Sequence, residues 1–95
     1  MELHELCDAV HDKASFLVFA ETLQSDRRRA VALESERPSN PYGPDAGGWE
    51  NTSIEGFLGA GISWMMHNPH AAEPRDVAAA WRGFATFLYC GKIRE

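Results

Sequence analysis

Long apolar runs are missing from this sequence. No stretch approaches the ~20 consecutive apolar residues that cross a bilayer, so no membrane segment is expected. Cysteine is scarce: Cys7 and Cys90 are the only two. Lying near opposite ends of the chain, they are expected as thiols in a reducing compartment rather than as a disulfide framework. Positive charge is short as well, with 9 Lys and Arg against 14 Asp and Glu and a net charge of −5. Binding a phosphate backbone depends on a basic surface that displaces counterions, so no nucleic-acid partner is expected. Met1-Glu2-Leu3-His4-Glu5 has neither the basic nor the apolar region of a secretory leader, which makes the cytoplasm the expected location. Alternating polar and apolar strand patterns are lacking too, which argues against a sheet.

Catalytic signatures are equally sparse. Gly56 and Gly59 have the spacing of a phosphate-loop fragment, but no strand precedes them and no Lys-Ser/Thr follows. His4, Cys7, Asp8 and His11 lie three and four apart, so on a helix they share one side and offer imidazole and thiolate ligands suited to zinc. Against this, Cys7 belongs to the apolar series Leu3, Leu6, Val10, where a buried thiol behaves as a small hydrophobe. His67 and His70 stand in an Asn-Pro turn with no nucleophile or carboxylate at a persuasive spacing. The expectation is therefore no catalytic residue, no metal and no cofactor. The alternative is a small metal-binding or hydrolytic enzyme built from His11, His70 and Cys90, with the His4–His11 series as its metal ligands.

The chain does contain helical stripes. Its 95 residues, 44% apolar with three Trp and five Phe, suffice for one domain with one modest core. A short N-terminal helix is predicted over 2–11. A second, capped by Asp12 or Ser15, carries Phe16, Phe19, Ala20 and Leu23 and runs to about Glu34. Arg27-Arg28-Arg29 is the only basic run, and it fans across about 200° of a helix, which makes it a solvated face. Residues 37–48 hold Pro38, Pro41 and Pro44 with Gly43, Gly47 and Gly48, a loop in which neither helix nor central strand persists. Tyr42 within it is expected to fold back onto the domain, with an exposed contact as the alternative.

Thr52-Ser53-Ile54-Glu55 fits a capping box and opens a third helix that Asn68-Pro69 ends. Ile54, Phe57, Leu58, Gly61, Ile62 and Met65 form its stripe, and close approach of a neighbouring helix would explain its glycines. Glu73 or Asp76 caps the last helix, which carries Val77, Trp81, Phe84 and Leu88, with Gly91 placed as its C-cap. The architecture read from these patterns is all-α, with three main helices, a short N-terminal one and a long Pro/Gly loop. The expected core is Phe16, Phe19, Leu23, Phe57, Leu58, Ile62, Trp81, Phe84 and Leu88.

Trp49-Glu50-Asn51-Thr52, Phe57-Leu58, Trp64 and Trp81-Arg82-Gly83-Phe84-Ala85-Thr86-Phe87-Leu88 together resemble a family of small bacterial domains of unknown function. Its pattern is W-E-N-[ST], then F-L, a further W, and W-x-x-F-A-x-x-L. The resemblance implies a compact, mainly helical cytoplasmic domain and supplies no catalytic residues. The chain departs from the pattern in the length of its 26–49 connection and in the glycines of the third helix. The leading functional expectation is a non-catalytic protein-interaction or regulatory domain, possible in an immunity-like form that masks a basic partner. Trp49, Glu50, Asn51, Trp64 and Tyr42 are the candidate interaction residues. A structural corner is the simpler reading of Trp49-Glu50-Asn51, and it requires Trp49 and Trp64 both buried with their indole N–H groups satisfied, whereas a recognition surface requires both to be substantially exposed. Nothing in the residues selects an oligomeric state.

Overall fold

In the computed structural model, which describes residues 1–69 and 76–94, the chain forms four α-helices and no β-strand among those residues. They are α1 (Leu3–Asp8), α2 (Lys13–Glu36), α3 (Ile54–His67) and α4 (Val77–Ile93), with a single 3₁₀ turn at Ala46–Gly48. The all-α expectation of a short helix and three main ones is met. His70 and the Glu73-Pro74 cap lie outside the described residues.

Polar side chains set the boundaries. Asp12 accepts the backbone N–H of Ser15, while the Ser15 hydroxyl reaches back to the backbone N–H of Asp12, so α2 starts with a reciprocal box. Asp76 caps α4 through the N–H of Ala79 at 2.6 Å. For α3 the expected Thr52 cap is displaced by one residue. Ser53 takes the extended cap conformation and accepts the N–H of Gly56 at 3.1 Å. Gly91 does not end α4; the helix runs on to Ile93.

α4 is the element shared by all the others: it packs against α1, α2 and α3. α3 is the outer helix, closely joined to α4 but without a comparable interface to α2. Two glycines make that junction possible. A Cβ on Gly61 would stand 2.8 Å from the backbone oxygen of Phe87, and one on Gly91 would stand 2.7 Å from the Phe57 ring. Close helix approach is thus the physical reason for both residues. Gly59 faces open space, with nothing within 4 Å of where its Cβ would be.

The core differs from the expected one. Cys7, Val10, Phe19, Leu23, Ala30, Trp49 and Ala85 form the buried cluster, with Phe16, Phe57, Trp81 and Leu88 packed partly against it. Leu58, Ile62 and Phe84, expected inside, are 44%, 49% and 48% exposed. Phe84 lies on α4, edge-on to the Trp81 ring, and for Leu58 and Ile62 the physical reason is the position of α3. A helix at the edge of the bundle buries one side only, and its apolar stripe is wider than that side. The molecule is correspondingly flat, 44 × 26 × 17 Å, with a radius of gyration of 13.8 Å against about 12 Å for a compact chain of this length.

Candidate functional site

The Trp-Glu-Asn corner is a set of structural ties. Trp49 is 4% exposed and its indole N–H donates to Asp26 Oδ2 at 2.8 Å. Lys92 Nζ meets the same oxygen at 2.8 Å. The guanidinium of Arg27 lies 5.1 Å from the centre of the indole and Lys92 Nζ lies 5.6 Å from it, so two cations flank one ring. Phe57 stacks on it with centroids 6.2 Å apart. Arg27 Nη1 also faces Asp45 Oδ2 at 3.6 Å, a long contact that leaves this buried nitrogen without a hydrogen bond. Arg27 is therefore a strut beneath the loop, not part of a solvated arginine face.

Glu50 and Asn51 tie the same corner to the end of α4. The Glu50 backbone N–H donates to the Lys92 carbonyl at 2.9 Å. The Asn51 side-chain amide donates to the Gly91 carbonyl at 2.9 Å and also to that of Arg94, two of the carbonyls a helix C-terminus leaves without internal partners. The loop end is shaped by the turn before it. Gly47 and Gly48 take φ of 72° and 79°, the left-handed region in which glycine avoids the Cβ clash. That reversal lets the Asp45 N–H reach the Trp49 carbonyl at 2.9 Å.

Trp49 meets the condition for a structural corner, buried with its indole satisfied, and its ring presents no exposed recognition surface, whereas Trp64 is only half-buried and does not meet it. Glu50, Asn51 and Trp64 are half-buried. Tyr42 is 98% exposed, which corrects the expectation that it folds back. Its backbone N–H donates to the Asn40 side chain, and this tight turn holds the ring away from the surface. The rest of the loop is fastened by Glu34, a residue the sequence reading did not single out. Its carboxylate accepts from the Ser39 N–H at 2.9 Å, from the Ser39 hydroxyl and from the Ala46 N–H at 2.7 Å. These donors, the Ser39 hydroxyl first, hold its carboxyl below the ordinary glutamate value.

The chemically suggestive clusters separate. Cys7 is buried and lies 3.7 Å from the Thr86 hydroxyl, whereas His4 and His11 are exposed. The His4–Cys7–Asp8–His11 series does not converge, and among the described residues no group of three or more metal-ligating side chains comes together. Cys7 and Cys90 are both free and buried, and burial raises both thiol pKa values, weakening them as nucleophiles. His11, Asp12 and Ser15 do gather, but as a helix cap. The Ser15 hydroxyl donates to Asp12 at 2.6 Å. His11 Nδ1, 2.9 Å from the Ala9 carbonyl, is committed as a donor there and cannot act as base toward Ser15.

What the sequence reading missed is the outer face of α3. Ile54, Leu58, Ile62 and Met66 are spaced by four residues and are 78%, 44%, 49% and 76% exposed. Charge on this helix is confined to Glu55 and His67 near its two ends. Beside the N-terminal end of the stripe is a hollow of about 360 Å³ whose walls include Trp49, Ile54, Phe57, Leu58 and Arg27. The periodicity of these residues is visible in the sequence, but the same periodicity describes a core face.

Comparison with protein-family models, curated proteins and solved structures finds no match to this chain.

Proposed function

We propose that this chain is a non-catalytic protein-interaction domain whose docking face is the apolar stripe of α3. The observation that supports the reading is the exposure of Ile54, Leu58, Ile62 and Met66 along one line of a helix that, among the described residues, is covered substantially on its α4 side only. Together they leave more than two whole apolar side chains' worth of surface in water, roughly 4–7 kcal/mol of unrealised burial at ~1.5–3 kcal/mol per side chain. Scattered exposed apolar residues are ordinary, but a contiguous line of them is characteristic of interaction surfaces. The Trp-Glu-Asn corner then acts indirectly, by fixing the entry to α3 and tying it to the end of α4.

Affinity capture of tagged protein from its native host tests this reading. The comparison is between wild type and a Leu58→Glu/Ile62→Glu variant whose helicity is verified by circular dichroism. A protein held by the wild type, its own copy included, and lost by the folded variant is the expected result. Equal capture by both forms would remove the α3 face as the docking surface.

A further inference from the structure

Cys7 and Cys90 come from opposite ends of the sequence, yet the fold brings them to the same side of α4. α1 lies against α4, and Cys7 Sγ stands 3.7 Å from the Thr86 hydroxyl of that helix. Cys90 is four residues on from Thr86, which on a helix is the next position along the same face. Helix side chains lean back toward the N-terminus, so the Cys90 thiol leans from its own turn toward the turn that Cys7 touches. Cys7 is 2% exposed and Cys90 5%, and both are free thiols. We infer that the pair is a redox modification site, at which a small-molecule disulfide converts the two thiols into one intramolecular Cys7–Cys90 bond that staples α1 to α4.

The chemistry balances as two successive thiol–disulfide exchanges. The Cys7 thiol gives its proton to water, its sulfur attacks the small disulfide, and one small thiolate leaves. The Cys90 thiolate then displaces the second small thiolate from Cys7. The protein has lost two hydrogens, and the oxidant has become two thiols. Access decides the order of attack. α1 has 6 residues, and a helix that short has no stability of its own. It opens locally more readily than α4 and uncovers Cys7 first. Burial pushes the Cys7 thiol up, the Thr86 hydroxyl draws it down, and the charges of Asp8 and Cys90 push it up again. The two sulfurs are therefore close enough to feel each other's charge. Burial raises Cys90 as well. Thiols kept protonated in this way react slowly near neutrality, so the site answers sustained oxidation and stays reduced otherwise. Once formed, the bond closes a loop of nearly the whole chain, and such long loops take the most freedom from the unfolded state.

Incubating the full chain with glutathione disulfide at neutral pH tests the inference, with Cys90→Ala as the comparison. The expected product is a monomer lighter by two hydrogens. Trypsin leaves in it the peptide ending at Lys13 joined to the one ending at Lys92, and dithiothreitol separates them. Oxidation also raises the urea midpoint and slows amide exchange in α1 at least about tenfold, and Cys90→Ala abolishes both changes. The mass and peptide map of the wild type decide the matter even where Cys90→Ala does not fold. Two thiols that stay free, a stable glutathione adduct on Cys7 or a disulfide-linked dimer overturns the inference. So does a bond that forms only in the urea-unfolded chain, or one that lowers the urea midpoint, since either shows that the fold holds the two sulfurs apart. Neither cysteine lies on α3, so the docking face stands or falls separately.

Discussion

Asp26 joins α2 to both the Trp49 corner and the end of α4. One of its oxygens accepts from both the Trp49 indole and the Lys92 ammonium, and Lys92 is only 8% exposed. Removing the carboxylate leaves a buried cation and a buried N–H without their partner, which is costlier than losing the pair together. Asp26→Ala should destabilise the fold by about 2–4 kcal/mol, discounted because Asp26 itself keeps some access to water. Lys92→Met, which retains the apolar stem and leaves Asp26 bonded to Trp49, should cost about 1 kcal/mol or less. Urea unfolding followed by tryptophan fluorescence measures both, and equal losses would show that the ion pair is not the centre of the corner. Neither role is legible in sequence. Asp26 reads as a neutraliser of the adjacent arginines and Lys92 as a complement to the α4 dipole, since local spacing carries no record of a contact across 66 positions.

At the scale of elements, the loop and the outer helix make opposite demands. The 37–48 loop, legible from its prolines and glycines, is fastened at both ends by Glu34. The folded pKa of this carboxyl is lowered, so its contribution is present above the ordinary glutamate value of 4.5 and is lost as pH falls through the lower folded value. Amide hydrogen exchange at Ser39 and Ala46 should therefore be slow relative to their intrinsic rates near neutrality and lose its protection on acidification below that range. Glu34→Gln should remove most of the protection at every pH, and protection unchanged by that substitution would assign the loop's order to something else. In α3 two glycines of the same sequence pattern have different reasons. Gly61→Ala drives a methyl against the Phe87 backbone and should destabilise by about 1–3 kcal/mol. Gly59→Ala enters open space and should stabilise by up to about 1 kcal/mol. Urea titrations read both signs, and a shared sign would place α3 differently against α4.

For the whole molecule, the decisive feature is that α4 is shared and α3 is not. The chain is a flat assembly in which, among the described residues, one side of an apolar helix is left uncovered, and the proposed docking face rests on this. The sequence by itself determined the helical class and the positions of the helices to within a few residues, because periodicity and caps act over neighbouring residues and need no tertiary information. It also marked Phe19 and Leu23 as buried, since they occupy the centre of the α2 stripe. The tertiary structure alone decided that Trp49 is a buried anchor and Tyr42 an exposed ring, and that Leu58, Ile62 and Phe84 lie outside the core. An apolar stripe records only that a helix face favours leaving water. Whether another element of the same chain covers that face depends on how many neighbours the helix has, and among the described residues α3, which carries Leu58 and Ile62, has only α4 as a substantial one.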